Sequence, residues 1–350
     1  MKLLVSALEH SANIHLKALT DELSEDVEFI GIFDKELGDP IVDLSSLAIM
    51  GFVDAVKKLR FFFKLADEML ELAKDADKVL LMDSSGFNLP LAKKIRKKYP
   101  EKEIIYYILP QAWAWKKKRI PVLERTVTHL CSILPFEQEY YSKSAPISYV
   151  GHPLLDEIKE YKQALTNNGI ISFMPGSRKG EITKLMPVFR ELVKKIDAKA
   201  CLIIPPHFSK EYIGEVYGDI SQFEVTREVH KTLYESDFAF VCSGTATLEA
   251  ALVGVPLVLA YRAKPLDYFL ASRLVKLNYI GLGNIMFDKF LSRPLYPEFI
   301  QDEVTADNLL QAYRQMDREK FIQDAKSLRG YLNHGSSQSV SKIIEDKNGN

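Results

Sequence analysis

Two short segments of this chain carry residues suited to holding phosphate. One is Met174-Pro175-Gly176-Ser177-Arg178-Lys179-Gly180-Glu181, the other Cys242-Ser243-Gly244-Thr245-Ala246-Thr247-Leu248-Glu249. Each ends an apolar, strand-like run and opens a helical one. Glycine lets a backbone approach a ligand closely, and helix-start N–H groups with Arg178 can then bind phosphate. Ser177 and, in the second turn, Ser243, Gly244 and Thr245 add backbone and hydroxyl donors. Glu249 falls one helical turn beyond Thr245 on the same face, where a carboxylate could accept two hydrogen bonds from a ribose. Taken singly, each segment also reads as a plain strand–helix turn. Together they indicate a nucleoside diphosphate. Neither is followed by the Gly-Lys-Ser/Thr of a Walker A loop, and neither is the dinucleotide fingerprint, which argues against an ATPase or a dehydrogenase.

The first half supplies acids instead. Glu9, His10, Ser11 and Asn13 follow the first strand-like run, and Asp83, Ser84, Ser85 and Asn88 follow another. A carboxylate at a strand's carboxyl end is placed to act as a general base. Asp83 is the first choice, with Glu9 or His10 as alternatives; an N-cap role for Asp83 is the plainer reading. Pro110-Gln111-Ala112-Trp113-Ala114-Trp115-Lys116-Lys117-Lys118-Arg119 holds both tryptophans of the chain before four cations. Aromatic platforms beside cations suit a phosphorylated lipid or single-stranded nucleic acid, and a core Trp at a solvated helix start is the alternative. In residues 50–64, Phe52, Val53, Val56, Leu59, Phe62 and Phe63 recur mainly at helical spacing, with Phe61 beside them and Lys57, Lys58, Arg60 and Lys64 interleaved. Such a helix could lie on an anionic bilayer or bury an ordinary apolar face. His152, in Gly151-His152-Pro153, is expected to line a cleft between domains. Asp75-Ala76-Asp77 sits at a helix end before a strand, and the seven histidines show no zinc spacing, so no metal is assigned.

The elements that must position these groups alternate. Strand-like runs at 2–7, 27–31, 79–83, 103–109, 129–133 and 148–150 are separated by helical patterns such as 53–74 and 88–98. The pattern restarts with strands at 169–174, 200–204, 222–226, 238–242 and 256–261, and a helix at 245–253. Residues 306–331 read as one helix and 337–346 as a short one. This alternation predicts an α/β protein of two Rossmann-like, doubly wound parallel-sheet domains facing a cleft, with ligands at the strands' carboxyl ends. Residues 1–164 form the first domain, 165–315 the second, and 316–350 a helical tail returning to the first.

Composition sets the outer bounds. The 350 residues, 47% hydrophobic, suffice for two ordinary cores. The net charge of −1 argues against a protein that coats DNA. It hides a segregation: residues 1–50 carry 3 basic and 10 acidic side chains, and residues 51–125 carry 17 and 10. Cys131, Cys201 and Cys242 are far apart and read as buried reduced thiols. The chain opens as a strand and not as a signal peptide. The apolar stretch 238–261 is broken by Gly244, Gly254 and Pro256 and carries Glu249, so it reads as strand–helix–strand and not as a membrane span.

The order and spacing of these motifs resemble the lipid-A-disaccharide synthases, inverting GT-B glycosyltransferases, from about Leu4 to Arg329. The pieces that carry the resemblance include residues 49–53, Gln111-Ala112-Trp113-Ala114-Trp115, Leu134-Pro135-Phe136-Glu137, Val150-Gly151-His152-Pro153, Pro175-Gly176-Ser177-Arg178, Ser243-Gly244-Thr245-Ala246-Thr247-Leu248-Glu249, Tyr261-Arg262-Ala263-Lys264-Pro265 and Asn284. The resemblance implies transfer from UDP-2,3-diacylglucosamine to 2,3-diacylglucosamine 1-phosphate, giving a β-1,6 disaccharide 1-phosphate and UDP, with no cofactor. It implies Asp83 as base, with Glu9 and Ser11 carried over from the family's first loop. Donor contacts would come from Gly176, Ser177, Arg178, Ser243, Gly244, Thr245, Glu249 and Asn284. Acceptor, lipid or membrane contacts would come from Ser11, Asn88, Trp113, Trp115, Phe52, Phe61, Phe62, Phe63, Lys57, Lys58 and Arg60. The chain departs from the family at Ala12-Asn13, where Gly-Asp is usual, at Gly86, where a second acid is usual, and at Gly283, where Pro is usual. The implied place is the cytoplasmic face of a Gram-negative inner membrane, held peripherally on anionic lipid and without nucleic acid. The C-terminal helices could exchange between the subunits of a homodimer. The alternatives are another GT-B enzyme, such as a UDP-N-acetylglucosamine transferase or a UDP-sugar 2-epimerase, and a non-catalytic basic binding protein.

Overall fold

A computed structural model describes residues 1–42, 55–263 and 278–346. The chain divides into two compact units, residues 1–157 with 332–350, and residues 158–331. The division falls at Glu157 where the sequence pattern puts it at 164, and residues 316–331, expected in the tail, stay with the second unit.

In the first unit, β1 (Lys2–Ala7), β2 (Glu28–Ile32), β3 (Lys78–Met82), β4 (Glu103–Tyr107), β5 (His129–Ser132) and β6 (Ile147–Tyr149) form one sheet in the order β2-β1-β3-β4-β5-β6. Every pairing is parallel. Helices cover both faces, so the strands read as continuous apolar runs; every residue of β3 is buried. One face carries Leu4, Leu81 and Tyr106 against Leu65 and Met69 of the helix Ala55–Asp75 and Leu91 and Ile95 of the helix Ser85–Lys98. The other carries Val5, Leu80 and Tyr107 against Leu16 and Leu19 of the helix His10–Thr20 and Val340 and Ile344 of the helix Ser336–Glu345.

That last helix is tied down at both ends. The Asp156 carboxylate accepts from the backbone N–H groups of Gly335 (2.9 Å) and Ser337 (3.0 Å) at its start. Lys78 Nζ donates to the carbonyls of Ile343 (3.3 Å) and Asp346 (2.7 Å) at its end, where a cation complements the helix dipole.

The second unit repeats the plan. β7 (Ile170–Met174), β8 (Lys199–Ile203), β9 (Glu224–Thr226), β10 (Phe238–Cys242), β11 (Leu257–Tyr261) and β12 (Glu298–Ile300) lie in the order β12-β11-β10-β7-β8-β9, again all parallel. The apolar stretch read as strand–helix–strand forms β10, the helix Thr245–Val253 and β11. β12, three residues long at the sheet edge, has no counterpart in the sequence pattern.

The single helix expected over 306–331 is two, Ala306–Gln315 and Arg318–Leu332. Met316 leaves the helical region (ψ 129°), and the Asp317 carboxylate accepts from Lys320 N at 3.0 Å, capping a new helix.

Each sheet reverses its strand order once, between β1 and β3 and between β10 and β7. In open α/β sheets such a reversal opens a crevice at the strands' carboxyl ends, where ligands bind.

Candidate functional site

The reversal in the second unit lies under the two phosphate-compatible turns. Met174 and Val241 are paired in register, so the turns after β7 and β10 leave the sheet side by side. Gly176 adopts φ +105°, and a Cβ there would lie 2.6 Å from Glu181 Oε2 and 3.1 Å from Cys242 Sγ. Both the backbone conformation and the space demand glycine.

Glu181 is the reason the turn holds its shape. It is buried at the start of the helix Lys179–Val193, accepts from the Arg178 backbone N–H at 3.3 Å and from Arg178 Nη1 at 2.9 Å, and so orients a guanidinium whose side chain is otherwise 81% exposed. Motif reasoning misses Glu181, although an acid three residues past a helix start is a capping-box signal. Ser177, Gly244 and Thr245 are exposed and Ser243 is half-buried. Gly244 (φ +149°) opens the helix Thr245–Val253. The turns thus present exposed donors, one cation and two helix N-termini, a suitable seat for a diphosphate.

Glu249 follows on the same helix, with His230 Nε2 2.7 Å from its Oε1. His230 belongs to the helix Val229–Glu235, and no local sequence signal links it to Glu249.

Asn284, expected to touch the donor, is fully buried. Its amide donates to Tyr296 O (2.9 Å) and Glu298 Oε1 (2.8 Å), and its oxygen accepts from Leu295 N (2.8 Å) and Tyr296 N (3.0 Å). It braces the segment before β12 and offers a ligand nothing. Arg262 is similarly engaged, donating to Gln301 O (3.2 Å) and Val304 O (2.8 Å), while Lys264 and Pro265 lie outside the described residues.

The reversal in the first unit lies under Glu9 and Asp83. Ala7 and Met82 are in register, so both acids leave the sheet together. Asp83 and Ser84 adopt φ +47° and +37°, a left-handed conformation that costs non-glycine residues energy. The strain is held from several sides. The Asp83 carbonyl accepts from Tyr106 OH (2.5 Å) and Asn88 Nδ2 (3.0 Å), and Asp83 N donates to Tyr107 O (3.3 Å).

The Asp83 side chain stays half-buried, and burial first, then the charge of Glu9, holds its carboxyl above the ordinary value. Ser84 Oγ donates to Glu9 Oε1 at 3.3 Å, joining the two loops. Arg119 Nη1 donates to Ser85 Oγ at 2.6 Å, bringing a cation to the same loop.

Asn88, expected to face an acceptor, is fully buried; its oxygen accepts from Ser6 Oγ at 2.6 Å, and its amide also reaches Met82 O at 2.9 Å. It fixes the Asp83 loop from beneath. Asn13 likewise ties Ala7 O (2.8 Å), Glu9 O (2.9 Å) and Asp34 N (2.7 Å). Ser11 and His10 are exposed on the first turn of the helix His10–Thr20.

The aromatic candidates separate. Trp113 is buried, its ring 4.9 Å from Phe136 and 5.9 Å from Tyr140, so it is core and not a platform. Phe61 and Phe62 are half-buried against the first-sheet core, Phe62 lying 5.9 Å from Phe87. Leu59 and Phe63, one turn apart, are 58% and 57% exposed, and Arg60 and Lys64 are exposed beside them. Phe52 and the side chains of Lys57, Lys58 and Trp115 lie outside the described residues.

His152 is enclosed within the first unit; its Nδ1 accepts from Leu154 N at 3.3 Å, and burial pushes its pKa down to about 3, leaving it neutral. The three cysteines are buried, and burial pushes the Cys131 thiol up to about 12. Among the described residues no three His, Cys, Asp or Glu side chains converge as a metal site requires, and no helix is long and apolar enough to cross a membrane.

Residues 3–342 match the family model described as Lipid-A-disaccharide synthetase. The lipid-A-disaccharide synthase of Helicobacter pylori (strain ATCC 700392 / 26695) is 48% identical over 351 residues, covering 97% of this chain and 96% of that one. The lipid-A-disaccharide synthase of Campylobacter jejuni (strain RM1221) is 43% identical, covering 98% and 99%. Among solved structures, a putative UDP-N-acetylglucosamine 2-epimerase from Listeria monocytogenes superposes with a TM-score of 0.59 at 12% identity, over 98% of this chain and 94% of that one. That likeness concerns the fold, the two-sheet GT-B architecture.

Proposed function

The chain belongs to the lipid-A-disaccharide synthase family, and from that premise we propose how its residues divide the work of a glycosyl transfer. Whole-length identity to such enzymes sets aside the epimerase, the peptidoglycan transferase and the non-catalytic binding protein. The donor is UDP-2,3-diacylglucosamine and the acceptor 2,3-diacylglucosamine 1-phosphate. The acceptor 6-hydroxyl oxygen attacks the anomeric carbon as the bond to UDP breaks, inverting the centre to the β-1,6 linkage.

Asp83 takes the hydroxyl proton. Burial and the charge of Glu9 hold its carboxyl above the ordinary value, which makes it a better proton acceptor than an exposed carboxylate. Glu9 lies beside it and raises its proton affinity. Charge develops on the leaving diphosphate, where Arg178 and the helix starts at Lys179 and Thr245 aim their positive ends. Arg119, bonded to Ser85 on the base loop, is placed to draw the acceptor phosphate.

The observation that carries the assignment is the strained, multiply held loop at Asp83–Ser84, which follows a strand at the sheet's reversal point. Strain of this kind persists where the surroundings over-determine it, and it concentrates at working sites. Asp83→Asn is expected to lose at least about 100-fold in kcat, the usual worth of a positioned base, with UDP affinity unchanged. Near-normal turnover would remove Asp83 as the base and direct the search to Glu9.

We also place the enzyme peripherally on an anionic membrane surface. Leu59 and Phe63 form an exposed apolar strip flanked by cations, on the segment that carries the basic excess.

A further inference from the structure

Glu249 stands on a helix whose other residues are mostly apolar, and its side chain is 19% exposed. His230 reaches it from the neighbouring helix, Nε2 to Oε1 at 2.7 Å. At that separation the imidazole edge and the carboxylate oxygen are in close polar contact. The contact engages one carboxylate oxygen and leaves Oε2 to serve a ligand. A carboxylate on an unsupported helix position exchanges between rotamers; one pinned from a second helix does not.

We propose that His230 is a positioning residue for the nucleoside: it fixes the Glu249 carboxylate so that its remaining acceptor capacity meets the vicinal hydroxyls of the donor ribose. This rests on the reading of the Ser243–Glu249 turn as the donor site. His230 acts on binding, and in particular on recognition of ribose, because the chemical step takes place at the sugar on the far side of the diphosphate. The KM for the donor is expected to rise in His230→Ala while kcat holds.

The test is calorimetric titration of the full-length protein with UDP and with 2′-deoxy-UDP, which lacks one of the two hydroxyls. The wild type is expected to prefer UDP by about 10-fold or more, as for a hydrogen bond to a charged group. His230→Ala should lose most of that preference. His230→Gln, whose amide can reach the same carboxylate, should regain it to within about 3-fold, with thermal melts showing both variants folded. In a Glu249→Ala background, His230→Ala should bring no further loss.

Retention of the ribose preference in His230→Ala, while Glu249→Ala loses it, overturns the proposal. So does an additional loss in the double variant, which would mean that His230 touches the nucleoside directly. If Glu249→Ala itself keeps the preference, the donor reading of Glu249 fails first, and that result is distinct from failure at His230.

Discussion

Glu137 is 1% exposed, with Oε2 accepting from Ser132 Oγ at 2.6 Å and Oε1 unpartnered. Burial pushes its pKa from 4.5 up to about 8, so the folded protein holds the carboxyl protonated near neutrality. The sign follows from proton counting. Between about pH 4.5 and 8 the folded state binds the proton and the unfolded state does not, so stability falls as pH rises through that window. A tenfold difference in proton affinity corresponds to about 1.4 kcal/mol. Glu137→Gln, which keeps the shape without the ionisation, is expected to stabilise by about 1–3 kcal/mol near pH 8 and hardly at all near pH 4. Thermal melts across that range decide it, and equal Tm values at both ends would mean that Glu137 is ionised in the fold. Motif reading picks out residues 134–137 as a family mark, but burial of the carboxyl is a property of the packed unit.

Each of the two candidate sites is a turn between a strand and a helix, and each is shaped by a side chain from further along. Gly176 and Glu181 show the dependence: the glycine yields the space that the carboxylate fills, and the carboxylate orients Arg178. Gly176→Ala adds a methyl where the backbone is left-handed and Glu181 Oε2 would be 2.6 Å away. Left-handed backbone costs a non-glycine residue about 1–2 kcal/mol. UDP affinity is expected to drop by about 10-fold, as for a lost charged hydrogen bond, because Arg178 loses its anchor. Wild-type UDP affinity in a folded Gly176→Ala protein would mean that Arg178 needs no such support. On the acid side, Asn88 and Tyr106 play the part of Glu181, gripping the Asp83 carbonyl from the helix Ser85–Lys98 and from β4. Both are fully buried, so the motif locates Asn88 correctly beside the loop and wrongly on its surface. A spacing argument locates a polar residue along the chain, but whether its side chain turns inward depends on which carbonyls the neighbouring strands leave unpaired.

Across the whole molecule, charge is unevenly shared, with 10 acidic against 3 basic residues in the first 50 and 17 basic against 10 acidic in residues 51–125. On the proposed reading the second block meets anionic lipid. Each cation near such a surface contributes about 1 kcal/mol, so replacing Arg60 and Lys64 with Gln should weaken binding to phosphatidylglycerol vesicles by about 10–30-fold. Replacing Leu59 and Phe63 with Ser should weaken it further and should reduce the part that resists salt. Sedimentation with vesicles at low and high ionic strength measures both. Binding indifferent to salt and to all four substitutions would refute the membrane face.

The alternation of apolar runs and helical patterns, the turns that close the strands and the phosphate-binding residue types are local properties. They are legible in the chain because burial on both sheet faces requires continuous apolar strands, and because helix starts and tight turns restrict residue type. Among the described residues, eleven of the twelve strands carry such a mark and β12 does not. What lies beyond reach is non-local. The reversal of strand order brings Gly176 beside Cys242 and Glu9 beside Asp83. Packing turns Trp113, Asn88 and Asn284 inward, and the approach of two helices sets His230 against Glu249. Such contacts join residues well separated along the chain, and they come into being only when the sheets assemble and the buried polar groups must find partners.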